Sequence, residues 1–270
     1  MMRKLLYALI ILSFTLTGPV NAGTTGSENL SSSNSQETTK ECFEGVSRAM
    51  FKLNHGLDKV IFEPVAKGYR ALPSPVRKAT GNATGNLRSL LTFSNNILQG
   101  DFRKAGNTAA RFGINTTVGI LGIFDPATKL GFEDHGKEDF GQTLGVWGSD
   151  TGCYFVLPIL GPTTARDAVG LVGNVFLDPV YQITHNTEID NGFVGNGSYS
   201  EHNYYYYRST GAVDFRAKNI ESWDSLEENS IDLYASLKSL YLQNRKQKIA
   251  NSKSTIETQD DSDWEEIDTN

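Results

Sequence analysis

The stretch from Gly141 to Asp167 restricts the fold more than any other part of this sequence. Its 27 residues include five glycines and two prolines, and only Asp150, Arg166 and Asp167 are charged. Such a segment is too apolar for an exposed loop and contains too many backbone breakers for one regular element. It predicts either an irregular crossover in the core or a shaped apolar surface.

Local signals divide this stretch into smaller elements. Tyr154–Leu157, which ends at Pro158, fits a short buried strand or an extended segment. Gly161-Pro162 indicates a turn. Thr163 or Thr164 then offers a hydroxyl that caps a following helix, because it accepts a hydrogen bond from an N–H of the first turn.

The N-terminal residues have the pattern of an export signal. Arg3 and Lys4 precede the apolar run Leu5–Leu16, and Val20-Asn21-Ala22 resembles a cleavage site. A dozen apolar residues is short of the ~20 that a membrane span needs, although an uncleaved anchor is the alternative. No cysteine follows the run, so we expect an exported chain without an acyl anchor. Residues 1–22 are assigned to the signal and 23–40 to a polar flexible linker.

Charge is concentrated at the C-terminus. The net charge is −6, yet the last 14 residues contain seven carboxylates and no Lys or Arg. The remainder is close to neutral and lacks the basic face that phosphate backbones require, so nucleic acid is not an expected partner. We predict that residues 249–270 form a disordered acidic tail and that 41–248 form the folded domain.

Cys42 and Cys153 are the two cysteines of the chain, and they are 111 positions apart. They form no CxxC pair and have no nearby histidine, which argues against a zinc site. An exported protein can oxidise them to a disulfide, while two free buried thiols fit the sequence equally well.

The folded domain has helical periodicity almost throughout. An amphipathic stripe begins at Phe43 and runs until Pro64 breaks or kinks the helix. Ser74-Pro75 predicts a second helix start, Gly100 its end, and Asp101 the cap of a third helix. The stripes are Phe43, Val46, Met50, Leu53, Leu57 and Val60 in the first helix, and Val76, Ala79, Ala83, Leu87 and Leu90 in the second.

Gly113–Phe124 is apolar, rich in glycine and uncharged. Its twelve residues are too few to span a bilayer, so it either enters one leaflet or crosses the core. Further along, the spacing predicts a short helix from Ala165 that ends at Asp178-Pro179. Residues 184–203 predict an exposed loop, and a long helix follows from about residue 203 to 248, with a break near Gly211.

No pattern indicates catalysis, a metal or a cofactor. The four histidines lack metal spacing, and neither a GxSxG elbow nor a P-loop is present. His135 lies among four carboxylates, which is typical of a solvated turn. Arg166-Asp167 is either a structural pair or a place where the guanidinium holds an anionic head group.

Taken together, several blocks resemble the MlaA (VacJ) family. They cover most of residues 41–245 in the family's order, and the block at 138–170 is the most specific. Two features depart from the family pattern: Lys238 replaces the usual Arg, and the acylated cysteine is missing. The blocks are CFEGVSRAMFKLNHGLD (42–58), PVAKGYRALPSPVR (64–77), NLRSLLTFSNNILQGD (86–101), RFGINTTVGILGIFD (111–125), EDFGQTLGVWGSDTGCYFVLPILGPTTARDAVG (138–170) and DLYASLKSLYLQNR (232–245).

This resemblance implies an all-α protein, a ring-shaped bundle of amphipathic helices that lies in one membrane leaflet around a central channel. It implies a place in the periplasmic leaflet of a Gram-negative outer membrane, beside a porin trimer. Such proteins remove phospholipid from the outer leaflet, pass it through the channel to a soluble periplasmic lipid carrier, and so maintain lipid asymmetry. The sequence leaves two alternatives, a periplasmic lipid hydrolase and a structural porin-associated protein.

We assign residues to this expected architecture as hypotheses. Gly141–Asp167 lines or gates the channel, with its glycines as hinges and Arg166 at the head group. The channel or gate residues are Gly141, Gly145, Tyr154, Pro158, Gly161, Arg166 and Asp167. The membrane-embedded ring residues are Phe43, Val46, Met50, Leu53, Leu57, Val118, Ile120, Leu121, Ile123 and Phe124.

Overall fold

The computed structural model describes residues 39–185 and 201–265. The predicted all-α class is confirmed, because this part is mostly helical with one two-stranded antiparallel sheet. The signal at 1–22, most of the linker, most of the loop at 184–203 and the end of the acidic tail lie outside the described residues. The elements are α1 (Glu44–Leu57), a π-helical turn (Asp58–Phe62), α2 (Glu63–Arg70), α3 (Ser74–Gln99), α4 (Phe102–Thr117), α5 (Pro126–Lys129), α6 (Phe140–Val146), β1 (Tyr154–Leu157), β2 (Gly161–Thr164), α7 (Ala165–Leu177), α8 (Pro179–His185), α9 (Glu201–Lys218), α10 (Ile220–Asn229) and α11 (Leu233–Glu265).

The helix that starts at Glu44 passes through Pro64 without ending. Proline has no N–H to donate to the carbonyl four residues earlier, so a regular α-helix would leave that carbonyl unpaired. The chain widens into the π-helical turn Asp58–Phe62 immediately before this proline. The predicted break or kink is therefore a local change of helix type.

The predicted junction between α3 and α4 is confirmed. Gly100 ends α3 in the left-handed conformation at φ +81°, and the Asp101 side chain accepts a hydrogen bond from the Lys104 N–H at 2.9 Å. The predicted cap at the start of α3 is wrong. Ser74 is already helical, and the preceding Pro73 has no side chain that accepts a hydrogen bond.

The Gly141–Asp167 stretch forms helix α6 and then the β1–β2 hairpin. Tyr154 pairs with Thr164, and the Thr164 hydroxyl accepts from the Asp167 N–H at the start of α7, as predicted. The predicted turn at Gly161-Pro162 is displaced, because these residues pair with Leu157 and Val156 and the chain reverses just before them.

A disulfide joins Cys42 to Cys153, with their Cα atoms 5.3 Å apart, so the structure has the bridged alternative and not free thiols. The segment before α1 also pairs with β1. Cys42 N–H donates to the Tyr154 carbonyl at 3.2 Å, and Tyr154 N–H donates to the Lys40 carbonyl at 2.9 Å.

The predicted long C-terminal helix is wrong in two respects. It is divided at Asn219 and again at residues 230–232, while Gly211 lies inside α9. A helical glycine costs only about 1 kcal/mol, which the packing of α9 on α2 and α3 offsets. The helix α11 also continues past residue 248, where the sequence predicted a disordered tail, because Ser252 packs in a buried position against Glu138.

Burial in this fold is inverted relative to an ordinary globular protein. Among the described residues, 22 polar or charged residues are buried against nine hydrophobic ones, and large hydrophobic side chains are exposed on most elements. In α3 the buried face is polar, whereas Val76 and Leu87 of the predicted apolar stripe are exposed. The buried polar residues of α3 are Asn86, Ser89, Thr92, Asn95, Asn96 and Gln99.

The segment Gly113–Phe124 does not cross the core. Its helix ends at Thr117, and the following residues form a loop that exposes Val118 (70%) and Leu121 (73%). Ile120 and Leu121 adopt positive φ values of 53° and 55°. Within the part of the chain that the structure describes, no helix combines the length and apolar character needed to cross a membrane.

Candidate functional site

The polar face of α3 forms the centre of the candidate site. Its side chains hydrogen-bond to the helices and loops that surround it, so the interior is held by directed polar contacts. Asn86 Nδ2 donates to Thr116 Oγ1 at 2.9 Å, and the Thr143 hydroxyl donates to Asn95 Oδ1 at 2.8 Å. Gln99 Nε2 donates to Glu138 Oε2 at 3.2 Å.

A polar cavity of about 170 Å³ lies against this face. Gly81, Gly85 and Ser89 of α3 form one side of it, and Arg111 and Asn115 of α4 form another. The remaining lining residues are Asn82 and Asn86 of α3 and the loop residues Asp125, Asp134 and Lys137.

The charges of this cavity balance. Arg111 Nη2 lies 3.0 Å from Asp125 Oδ2, and Lys137 Nζ lies 3.7 Å from Asp134 Oδ2. Burial lowers the pKa of Lys137 below its ordinary value. Burial raises the pKa of Asp125, but hydrogen bonds from Thr128 and Asn115 outweigh burial. The net pKa of Asp125 is lowered, so the carboxylate remains charged. The cavity therefore offers both donors and acceptors to a polar or zwitterionic group.

A buried charge network adjoins this interior and joins α6, α7 and α11. Arg245 of α11 contacts Asp139 through both terminal nitrogens, at 2.6 and 2.9 Å, and contacts Asp167 Oδ1 at 2.7 Å. Arg166 donates to the same Asp167 oxygen at 3.1 Å, and the Tyr241 hydroxyl donates to Asp167 Oδ2 at 2.6 Å. Two guanidinium groups thus neutralise two carboxylates.

The pKa directions agree with this pairing. Burial alone raises the pKa of Asp139 and Asp167, but the Arg245 guanidinium outweighs burial and the net pKa of each is lowered. Burial lowers the pKa of Arg245, but Asp139 and Asp167 raise it more strongly. All three groups are charged at neutral pH.

The structure brings together four of the proposed gate residues. Gly141 and Gly145 lie in α6 beside Arg166 and Asp167 at the start of α7. Tyr154 is fully buried in β1, next to Tyr241, with ring centroids 6.2 Å apart. Pro158 and Gly161 do not join this group.

Pro158 and Gly161 lie in the β1–β2 hairpin. Pro158 is exposed just after β1, and Gly161 is the first residue of β2 and lines a second, separate cavity.

Close packing explains why two of these positions are glycine. A Cβ at Gly141 would lie 2.6 Å from Asp167 Oδ1 and 2.7 Å from Arg245 Nη2, and one at Gly145 would lie 2.5 Å from Ile249. Any side chain would displace the charge network, so these glycines allow the close approach of α6 to α7 and α11. Arg166 is also buried, and its guanidinium is bonded to Asp167 and Thr151.

Most of the predicted ring residues lie on the apolar surface. Phe43 (66%), Val46, Leu53 and the loop residues Val118, Ile120, Leu121, Ile123 and Phe124 are exposed. Met50 and Leu57 are half-buried, and Met50 packs against the aromatic cluster around Tyr154. The exposure of the other eight ring residues fits a surface that contacts acyl chains.

Sequence reasoning missed the central member of the charge network. Arg245 lies in the family-like block at 232–245, but nothing in its spacing connects it to Asp139, 106 positions away. Asp139 was identified only as a helix cap, which is confirmed by its bond from the Gln142 N–H at 3.0 Å. Lys238, the departure from the family pattern, donates to Glu41 Oε2 at 2.9 Å.

No group of His, Cys, Asp and Glu within the described residues is arranged to hold a metal ion. The site therefore offers hydrogen bonds, paired charges and an apolar exterior.

Comparison with known proteins identifies relatives of the chain. The family model described as MlaA lipoprotein matches residues 39–248. A Haemophilus influenzae protein named intermembrane phospholipid transport system lipoprotein MlaA is 31% identical over 235 residues, which are 85% of this chain and 87% of that protein. An uncharacterized protein of Rickettsia prowazekii is 39% identical over 146 residues, so the match covers 53% of this chain and 58% of that protein.

Comparison of the fold with solved structures identifies the same family. A solved structure from work on the structural basis for maintenance of bacterial outer membrane lipid asymmetry superposes with a TM-score of 0.64 at 28% identity, covering 78% of this chain and 99% of that chain. The sequence match and the shared fold together show that this chain belongs to the MlaA lipoprotein family.

Proposed function

We propose that this protein carries phospholipid out of the outer leaflet of a bacterial outer membrane. In this proposal its helices form a ring in the periplasmic leaflet beside a porin trimer, and the lipid passes through a central channel to a soluble periplasmic carrier. The names of its relatives support transport of phospholipid between membranes. The observation that carries the proposal is the inverted burial, with polar side chains inside and apolar ones outside.

The physical chemistry explains why such a protein is needed. Moving two acyl chains through water costs ~0.8 kcal/mol per CH₂, or roughly 20 kcal/mol for a phospholipid. A conduit that shields the chains and solvates the head group removes most of this barrier without making or breaking a bond. Helices satisfy their own backbone hydrogen bonds, so they can lie in lipid while their polar faces turn inward.

Membrane association in this proposal depends on the exposed apolar side chains. The relatives are named lipoproteins, but both cysteines of this chain are joined to each other in the structure. In this proposal the exposed apolar side chains hold the protein in the leaflet through the apolar area that they bury there.

Gly85 provides a direct test of transport through the polar cavity. It lines the cavity, and a Cβ built on it meets no atom within 4 Å, so a side chain can begin there without displacing a neighbouring atom at its first carbon. In the series Gly85→Ala, Gly85→Leu and Gly85→Trp, we expect surface phospholipid to rise with side-chain size. Labelling of outer-leaflet phospholipid in cells with a membrane-impermeant reagent measures it.

The matched control is Gly106→Trp. Gly106 is an exposed helical glycine on α4 whose Cβ also meets nothing within 4 Å. Gly85→Trp and Gly106→Trp should accumulate to the same level and bind the porin equally. Surface phospholipid that stays at the wild-type level in Gly85→Trp would reject the conduit and favour a purely structural role at the porin.

A further inference from the structure

A second cavity, of about 240 Å³, lies in a different part of the fold and shares no lining residue with the polar cavity. Its walls are mainly apolar and include Phe51, Val156 and Leu237. Ile159 and Phe215, each 69% exposed, also line it. The cavity thus connects with the apolar exterior.

Three nitrogen atoms at the polar end of this cavity lack a partner. Trp223 Nε1, Arg216 Nη1 and His55 Nδ1 are buried and make no hydrogen bond within the described residues, and all three side chains line the cavity. A buried donor without an acceptor costs about 1–3 kcal/mol. The indole and guanidinium nitrogens are donors only, so the site requires an oxygen acceptor from outside the chain.

The surrounding charges decide which acceptor is suitable. Asp58 already binds Arg216 through two hydrogen bonds, at 2.9 and 2.8 Å, and Glu63 lies 4.0 Å from the same guanidinium. Glu227 lies 3.5 Å from His55 Nε2 and pairs with Lys59. Lys67 pairs with Glu63, and the charge of Asp224 also acts on Arg216. Four carboxylates therefore face three permanent cations, and another anion would meet net repulsion.

We propose that this cavity holds one acyl chain of a glycerolipid, with the ester carbonyl accepting hydrogen bonds from Trp223 Nε1 and Arg216 Nη1. The two nitrogens are enclosed in this structure, so binding of the carbonyl requires a shift of the half-buried Trp223 side chain. The neutral ester satisfies the donors without adding charge. The inference depends on the proposed location in a lipid leaflet, but it does not depend on transport.

Size and backbone geometry support this assignment. An apolar cavity of about 150 Å³ is enough to bind benzene, and pockets for whole drug-sized ligands measure roughly 300–1,000 Å³. A volume of about 240 Å³ therefore fits part of one chain and not a whole phospholipid. The π-helical turn contributes Asp58 and Phe62 to the lining, and such turns recur at functional sites.

Photolabelling of the full chain in nanodiscs tests the site. The probes are a monoacylglycerol and the corresponding free fatty acid, each with a diazirine in the acyl chain. We expect the monoacylglycerol to label peptides that contain Phe51–Phe62 and Phe215–Trp223, at least about fivefold more than the fatty acid. Leu237→Trp, which fills the cavity, should abolish this labelling.

Two further variants separate the site from general lipid contact. Leu240→Trp places the same side chain at an exposed position of α11 outside the cavity and should label as the wild type does. Trp223→Phe keeps an aromatic wall but removes the donor, so labelling by the monoacylglycerol should fall about fivefold.

Three outcomes would overturn the proposal: labelling that Leu237→Trp leaves unchanged, equal labelling by the fatty acid, or full labelling of Trp223→Phe. Gly85→Trp should label normally in this assay. Failure of the acyl-chain site and failure of the conduit therefore give different results.

Discussion

Arg245 is the side chain on which the buried charge network depends. It is the only residue in that network that contacts both Asp139 and Asp167, which begin different helices. Removing one partner of a buried ion pair leaves a charge without compensation in a poorly solvated place. A single substitution of Arg245 therefore affects α6, α7 and α11 together.

We expect Arg245→Met to lower the free energy of unfolding by about 3–5 kcal/mol, measured by chemical denaturation in detergent micelles. Arg245→Lys should give an intermediate loss, because an ammonium group cannot reproduce the two-pronged contact. Lys246→Met is the control, since Lys246 is exposed on the next position of α11. Equal midpoints for Arg245→Met and Lys246→Met would contradict this role.

The buried Asp139 carboxylate makes the free energy of unfolding depend on pH. Its folded-state pKa is lowered by Arg245 despite burial, while an unfolded aspartate titrates near about 3.9. Its contribution is therefore complete above about pH 5 and is lost as the pH falls through the folded-state pKa. Glu138 has the opposite effect on the pH dependence of stability. Because burial raises its pKa, its ionisation lowers the free energy of unfolding as the pH rises.

Comparison with Asp139→Asn isolates this contribution. The difference in unfolding free energy between wild type and Asp139→Asn should be largest near about pH 6 and should shrink towards about pH 3. Glu138 is present in both proteins, so its titration cancels to first order. A difference that stays constant with pH would show that Asp139 acts only as an uncharged cap of α6.

At the scale of elements, the crossing of α6 and α7 depends on the absence of side chains. A Cβ at Gly170 would lie 2.5 Å from the backbone nitrogen of Gly141, which has no freedom to move aside. Gly113, on the exposed side of α4, has nothing within 4 Å of the same position. The two helical glycines therefore form a matched pair.

We expect Gly170→Ala to destabilise the protein by about 1–3 kcal/mol through overpacking. Gly113→Ala should stabilise it by about 0.5–1 kcal/mol, because alanine loses less backbone entropy in a helix. Thermal unfolding of both variants checks the signs. Stabilisation by Gly170→Ala would mean that the helices do not approach this closely.

The sequence predicted the element boundaries better than the faces of the helices. Gly100, Asp101, Thr164 and Asp178 act through local hydrogen bonds or backbone geometry, so their roles follow from neighbouring residues alone. The buried face of α3 depends on what surrounds the whole helix. Apolar periodicity there identified a stripe that includes Val76 and Leu87, but it did not indicate which face packs inward, and the amide-rich face is the one that does.

The sequence likewise indicated only a part of the candidate site. The stretch Gly141–Asp167 contains residues that the structure brings together, Gly141, Gly145, Arg166 and Asp167, while their role in a channel or gate stays a prediction. It could not indicate Arg245, because ion pairs between residues this far apart leave no periodic signal. Nor could it separate glycines that permit close packing from glycines that permit motion.

At the scale of the whole molecule, the apolar exterior should determine partition into lipid. Ile120 and Leu121 are exposed and have left-handed backbones that asparagine adopts more readily than β-branched or large residues do. The double variant Ile120→Asn, Leu121→Asn therefore removes apolar surface without straining the loop. We expect its partition into vesicles of zwitterionic phospholipid to fall at least about tenfold.

Gly131→Asn is the control for this experiment. Gly131 is exposed, has φ +89°, and a Cβ on it meets nothing within 4 Å, so asparagine enters a left-handed position without removal of apolar surface. Partition of this variant should equal that of the wild type. Equal partition of the double variant as well would show that the loop does not touch lipid.

The bond between Cys42 and Cys153 also fixes an order of events during biosynthesis. More than half of the chain has to be made before the second sulfur exists, so every element from α1 to α6 is synthesised before this ring of covalent bonds can close. In a reducing compartment the thiols stay separate, and two backbone hydrogen bonds alone hold residues 40–42 to β1. In an oxidising compartment the disulfide adds a covalent link between this segment and β1.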